Sequence, residues 1–320
     1  MKDSDPPISV LLPVFNGDQF LAEAIESVIN QSFTDWEMII VNDGSTDDTA
    51  NVIARYLKDK RIRYFVNATN RGYAYTCNRG FNLCKGKYIA LQDADDVSTQ
   101  HRLRLEFGAL ESNDKCKIAF SRIHYINSQG ALGKMWGGVR NSSPVLSHNE
   151  YFRKLYTQGN FVPNPSVMIR NCSDDKPKYR EDLDVCNDFE FHLRMLHDHD
   201  FYYLSQPLVF VRRDDDHTTM TSNREKNFFF EKVILKDIRK IYMTSEKNPI
   251  TRRMYNACMS NQYLRECNWA SRNNGTKIGR SVLISLLFNP INIRTYQFIM
   301  RFYGPEKLYN NVRKVFRLIR

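Results

Sequence analysis

The sequence predicts an α/β protein, a mostly parallel sheet flanked by helices, followed by a helical and basic C-terminal extension. Three observations carry this prediction. Short, continuously apolar runs alternate with stretches of helical periodicity through the first hundred residues. A polar cluster follows each apolar run. After about residue 224 the pattern is helical throughout, and the charge turns strongly positive.

The first run, ISVLLPVF (8–15), is apolar without alternation, as a strand covered on both faces would be. Phe20, Leu21, Ala24, Ile25, Val28 and Ile29 then recur at helical spacing. WEMIIVN (36–42) is the second strand. STDDTANVIARYL (45–57) is the helix after it, with Ser45 expected to cap and Asp48 three residues on, like a capping box. IRYFV (62–66), a helix near 73–84 and KYIAL (87–91) complete four strand and helix alternations, the signature of parallel crossovers. STQHRLRLEFGALES supplies a further helix, and mixed strands are expected to about residue 210. The predicted division is a catalytic domain over 1–223, with halves of about 1–100 and 101–223, and a helical basic region over 224–320.

A chain of 320 residues that is 42 % hydrophobic can bury one large core, with room for a smaller appendage. After residue 220 there are 20 Lys and Arg against 6 Asp and Glu, a balance of +14. Residues 1–220 keep 26 against 30, or −4. The basic third is expected to face an anionic partner, such as a membrane surface, a diphosphate-linked lipid or nucleic acid. Seven cysteines without a Cys-x-x-Cys pair, and a start (MKDSDPP) without an apolar export segment, lead us to expect reduced thiols and a cytoplasmic location, peripheral at the inner face of the membrane. VLISLLF (282–288) falls far short of the roughly 20 apolar residues of a spanning helix.

In open parallel sheets ligands gather at the carboxyl ends of the strands. PVFNG, NDGSTDD, NATNRG and QDADD follow strands one to four, so four polar loops should converge on one edge. Phe15 offers a ring face for a base, Asp43 an acceptor for a base or ribose, and Gly17 and Gly44 close backbone approach. Asp93, Asp95 and Asp96 crowd like charges together. A divalent cation with hard oxygen ligands offsets such repulsion, while loop and helix-capping roles are the plainer alternative.

From SVLLPVFNG through WEMIIVNDGSTDDT to NRGYAYTCNRGFNLCKGKYIALQDADD, the chain resembles a family 2 glycosyltransferase of the bacterial surface-polysaccharide type, which has the GT-A fold. The resemblance is continuous over roughly 8–100 and looser to about 222. It implies that Asp95 ligates Mn²⁺ or Mg²⁺, that Asp93 contacts ribose or metal, that Asp43 reads the base, and that Pro13, Val14, Phe15 and Asn16 line its pocket. Asn70 and Arg71 join the nucleotide-sugar set. Cys77 stands where an arginine often contacts the nucleotide, so Arg71 or Arg79 is expected to take that part. In VCNDFEFHLRM (185–195) the resemblance makes Asp188 the general base, against a plain helix-cap reading. In VRRDDDHTTMTS (211–222) it makes Arg213 and His217 candidates for diphosphate or metal.

The implied activity is inverting transfer of a sugar from a nucleotide diphosphate sugar, with UDP as the nucleotide, to a glycan or lipid-linked hydroxyl in polysaccharide biosynthesis. One rival is a sugar nucleotidyltransferase. It would want a glycine-rich basic loop after strand one, and PVFNG has one glycine and no Lys or Arg. The other is a non-catalytic or nucleic-acid-binding protein using the basic tail, for which no recognised motif appears.

Overall fold

The computed structural model describes residues 5–139, 142–172, 175–213, 224–243, 250–272 and 278–289, with 294, 295 and 297. Two compact units are present: Met1–Tyr151 with Asn160–Thr219, and Phe152–Gly159 with Met220–Arg320.

The first unit opens with β1 (Ile8–Val14), α1 (Leu21–Ile29), β2 (Trp36–Asn42), α2 (Thr49–Ala54), β3 (Ile62–Val66), α3 (Tyr73–Leu83) and β4 (Tyr88–Leu91). It continues through β5 (Val97–Ser98), α4 (Arg102–Glu111), β6 (Cys116–Ile126), β7 (Leu132–Trp136) and β8 (Val145–Leu146) to α5 (His148–Gln158), whose later turns belong to the second unit. A 3₁₀ turn (Asn164–Ser166) leads into β9 (Val167–Arg170), α6 (Asn187–Asp198) and β10 (Asp200–Arg212).

The sheet order is β3-β2-β1-β4-β9-β6-β10-β5, with β7 on β6 and β8 on β10. The first four strands are parallel, as the crossovers require, and β9 enters antiparallel between β4 and β6. All seven residues of β1 and of β2 are buried, which explains their unbroken apolar pattern. On α1, Leu21, Ala24, Ile25 and Val28 form the buried stripe, and each larger side chain contributes on the order of 2 kcal/mol. Gly80 of α3 lies against Leu11 so closely that a Cβ would overlap that side chain. No larger residue fits there.

One local expectation is corrected. Ser45 does not cap a helix: α2 begins at Thr49, its N-cap is Asp48, and that cap makes no side-chain bond. The Ser45 hydroxyl instead accepts the Asn16 N–H at 2.9 Å, while its own N–H donates to Asn42 Oδ1 at 2.8 Å. A bond between loops has displaced the local cap.

The second unit holds α7 (Arg224–Met243), α8 (Arg252–Arg272) and α9 (Ile278–Phe288) with the end of α5. Tyr156 donates to the Leu235 carbonyl at 2.9 Å, Lys232 pairs with Glu266 at 2.9 Å, and Ser260 meets Ser285 at 3.0 Å. Among the described residues no helix is long and apolar enough to cross a membrane. None of the seven cysteines forms a disulfide. The segment 298–320 of the basic region lies outside the described residues.

Candidate active site

The loops after β1, β2 and β3 are knitted into one cage. Asp43 is its staple: the Oδ1 atom accepts from Asn67 Nδ2 (2.6 Å) and the Arg71 N–H (2.9 Å), and Oδ2 accepts the Gly72 N–H (2.8 Å). Hydrogen bonds to a charged acceptor contribute about 1.5–3 kcal/mol each, so Asp43 fixes where the β3 loop sits. Three of roughly four lone-pair positions are thereby taken. Gly44 adopts a positive φ of 70°, and a Cβ there would stand 2.8 Å from the Thr69 carbonyl carbon. Only glycine allows that approach.

Asn16, at a φ of 49°, ties the first two loops: its Oδ1 accepts the Thr46 N–H at 2.9 Å. Gly17 adds its N–H to Thr49 Oγ1 at 3.0 Å. Pro13 and Val14 are buried strand residues of β1, so their main chain alone can face a ligand, whereas Phe15 presents its ring at 47 % exposure. Asn70 is exposed, and its Oδ1 accepts the Gly72 N–H at 3.1 Å.

The three residues considered for the missing arginine part company here. Cys77 is wholly buried, and burial pushes its thiol well above the ordinary range. Arg79 is committed to holding β3's exit, donating to the Val66 carbonyl at 2.6 Å and to Asn67 Oδ1. Arg71 is exposed, stacks its guanidinium 4.3 Å over the Tyr75 ring, and has no acid partner among the described residues.

The acid cluster closes the fourth loop. Asp93 and Asp95 are half-buried, and Asp96 is buried. Burial, then the charge of Asp95, pushes the Asp93 carboxyl up to about 7, against a hydrogen bond from Tyr73 Oη at 3.3 Å and the charge of Arg102. Burial, then the charges of Asp95 and Asp93, push the Asp96 carboxyl well up, against the hydrogen bond from the Arg212 N–H. The protein contains this repulsion with two buried arginines that the sequence reading passed over. Arg102 uses its guanidinium on Glu106 (3.1 Å), Gln92, Ser98 Oγ and the Leu91 and Val167 carbonyls. Burial lifts the Glu106 carboxyl to about 7 against that pairing.

Arg212 clamps the loop from outside. Its N–H donates to Asp96 Oδ1 (2.9 Å), Nε to the Asp95 carbonyl (3.1 Å), Nη1 to the Asn127 carbonyl (3.0 Å) and Nη2 to Glu23 (2.8 Å). The guanidinium also sits 4.0 Å over the Phe20 ring. Its neighbour Arg213, singled out from the sequence, is exposed and lies 5.3 Å over Tyr125. His217 lies outside the described residues.

Asp188 stands second in α6, after Cys186 in left-handed conformation (φ 63°). Asn160 Nδ2 donates to Asp188 Oδ2 at 2.8 Å. The Asp188 charge reaches Asp93 and raises it further, so the two carboxylates act within one field. A side-chain relay links the halves: Asn164 Nδ2 donates to Tyr73 Oη (2.9 Å), and Tyr179 Oη to Asn164 Oδ1 (3.0 Å). Asn160 and Asn164 lie in NFVPNPS, where the sequence signalled only a strand region.

A loop cage at a parallel strand edge, beside hard oxygen donors and a carboxylate at a helix start, is the arrangement of a group-transfer enzyme of the GT-A kind. The family model of Glycosyl transferase family 2 matches residues 9–173, and the chain belongs to that family. It is 30 % identical over 211 residues to the uncharacterized glycosyltransferase MJ1057 of Methanocaldococcus jannaschii, covering 65 % of this chain and 71 % of that one. WcaA of Escherichia coli, provisionally assigned to colanic acid biosynthesis as a glycosyl transferase, is 29 % identical over 60 % of this chain and 67 % of its own. The solved structure of Staphylococcus aureus TarS 1-349 in complex with UDP superposes with a TM-score of 0.65 at 15 % identity. It covers 98 % of this chain and 92 % of that one, and it shares the fold.

Proposed function

We propose that this glycosyltransferase moves a sugar, with inversion, from a UDP-sugar to a hydroxyl of a glycan or lipid-linked acceptor in polysaccharide biosynthesis. The observation that carries the reading is the shared field of Asp93, Asp95 and Asp188 beside the cage stapled by Asp43. Phe15 covers the base, and main-chain groups of the β1 and β3 loops hold uridine. Arg71, with no acid partner among the described residues, takes a diphosphate oxygen. TarS, which shares the fold, was crystallised with UDP, in line with this choice of nucleotide.

Asp93 and Asp95 suit Mn²⁺ or Mg²⁺, because their hard, crowded oxygens carry unfavourable negative charge that a dication relieves. His217 is proposed as a further ligand. Such an ion, when bound, draws negative charge from the departing diphosphate. Asp188, oriented by Asn160, accepts the proton of the acceptor hydroxyl while that oxygen bonds to the anomeric carbon from the face opposite the breaking bond to diphosphate. We further propose a cytoplasmic enzyme whose basic C-terminal region rests on an anionic membrane surface, each basic residue there contributing about 1 kcal/mol.

The test is a screen of UDP-, GDP- and dTDP-sugars by thermal shift, with Mn²⁺, Mg²⁺ or chelator. A ligand at a hundredfold its Kd stabilises by about 2.7 kcal/mol, so a metal-dependent rise with UDP-sugars is expected. A protein unmoved by every nucleotide sugar would refute the reading. For the tail, co-sedimentation with phosphatidylserine vesicles should fall on truncation near residue 295 and with salt. Equal binding by both chains counts against it.

A further inference from the structure

A second concavity lies within the first unit, with Asn160, the hydrogen-bond donor to Asp188, in its wall. It has a volume of about 570 Å³, and its walls include Arg122, Trp136, Gly138, Asn160, Phe161 and Tyr203. Its construction is specific. Gly137 and Gly138, at φ of 96° and 73°, turn the end of β7 back over the sheet. The Gly138 N–H bonds the Phe161 carbonyl at 2.8 Å, and a Cβ on Gly138 would overlap the Tyr203 ring. Phe120 packs beneath, 5.3 Å from Tyr203 and 6.4 Å from Phe161 between ring centroids, so the floor is aromatic. Trp136 stands at the rim with 37 % of its surface exposed.

Arg122 is the unusual member. Its Nε is buried and has no hydrogen-bond partner, and its guanidinium meets no carboxylate among the described residues. Arg122 as a whole is half-buried, whereas the fully buried arginines of this unit, Arg102 and Arg212, have their guanidinium nitrogens hydrogen-bonded. A buried N–H left unpaired costs about 1–3 kcal/mol, so a planar fork held empty in an aromatic cleft is a site waiting for an oxyanion. Guanidinium geometry matches carboxylate and phosphate two bonds at a time, and aromatic faces take the C–H faces of sugar rings. Asn160 joins this cleft to Asp188, one hydrogen bond away.

We infer that this cleft is the acceptor subsite and that it selects an anionic saccharide, with Arg122 on the oxyanion and Trp136 against a ring. The inference rests on reading Asp188 as the group that takes the acceptor's proton. Two sources supply the same chemistry, a uronate in the glycan or the diphosphate of a lipid carrier.

The experiment titrates the full chain calorimetrically with trigalacturonate, with farnesyl diphosphate-linked N-acetylglucosamine and with neutral maltotriose. At least one anionic probe should bind about tenfold or more tighter than maltotriose, and which one does so identifies the source. Arg122→Met should abolish that preference, and Arg122→Lys, which keeps charge without the fork, should retain only part of it. Trp136→Ala, at an exposed position, should weaken all bound probes alike. Equal binding of neutral and anionic probes, no binding of either anionic probe, or a preference that survives Arg122→Met overturns the assignment. Titration of the wild-type chain with UDP reports on the donor end separately: anionic preference without UDP binding sinks the donor reading and leaves the cleft assigned.

Discussion

The loops at the ends of β1, β2 and β3 and the cleft beside Asn160 solve opposite problems. In the first region nearly every polar group is already bonded within the protein: Asp43 to three N–H donors, Asn16 across two loops, Arg79 to the β3 exit. In the second, Arg122 Nε is buried without a partner. Internal bonding makes a rigid mould whose shape is set before any ligand arrives, and such preorganisation suits a part common to many substrates. Unpaired groups make a site whose energy is completed only by its own ligand. The proposed function uses both, a preset mould for the nucleotide and a ligand-completed cleft for the acceptor.

The largest effect should come from breaking the acid cluster. Asp95→Asn should abolish Mn²⁺-dependent UDP binding in calorimetry while the chain stays folded by circular dichroism. The same substitution removes the neighbour charge that helps raise Asp93, so the Asp93 carboxyl should titrate lower in the variant than in the wild type in carboxyl-detected NMR. Asp188→Asn comes next. Turnover should drop about 10²-fold or more with UDP affinity kept, as loss of a general base requires. A matching loss of donor affinity would move Asp188 into the nucleotide mould and erase the contrast drawn above.

Disturbing the mould should read out in stability before catalysis. Asp43→Ala leaves the Arg71 and Gly72 N–H groups and Asn67 Nδ2 without their acceptor, and should destabilise by about 3 kcal/mol in urea melts. Gly44→Ala forces a Cβ to 2.8 Å from Thr69 at a φ of 70°, and should cost about 1–2 kcal/mol or more. If Asp43→Ala melts like the wild type and loses only UDP affinity, the carboxylate reads the base directly and the staple is secondary.

The two regions also differ in how legible they were. Donor-side loops follow strands in order, so short quoted motifs at four strand ends already placed Phe15, Asp43, Asp93 and Asp95 on one edge of the sheet. The staple itself was missed, because a carboxylate that bonds backbone N–H groups 28 and 29 residues away looks in sequence like any turn former. Ser45 was misread for the same reason, its partner Asn16 being 29 residues distant. Arg102 looked like one more charge on an amphipathic helix, and only the fold buries it under β4. Arg212 was passed over for Arg213 because adjacent strand residues point to opposite faces, and sequence alone did not fix which face was inside. The cleft beside Asn160 was not foreseen at all. Its residues come from β6, β7, β10 and the 159–163 loop, and no local pattern joins them.

The smallest predicted effect separates two arginines that the sequence left as equals. Arg79 donates to the Val66 carbonyl and to Asn67, the residue whose amide also reaches Asp43, so it belongs to the rigid mould. Arg71 gives its main-chain N–H to Asp43, but its side chain is exposed and stacks its guanidinium on the Tyr75 face. Arg79→Ala should therefore lower stability by about 1–2 kcal/mol, with UDP affinity falling only as the loop loosens. Arg71→Ala should leave the melt unchanged and weaken UDP binding by about tenfold, the value of one charge-assisted contact to phosphate, with uridine binding unaffected. Comparing UDP with uridine isolates the diphosphate term. If Arg71→Ala weakens both alike, Arg71 acts by holding the loop, and the division between mould and ligand contact runs elsewhere than between these two side chains.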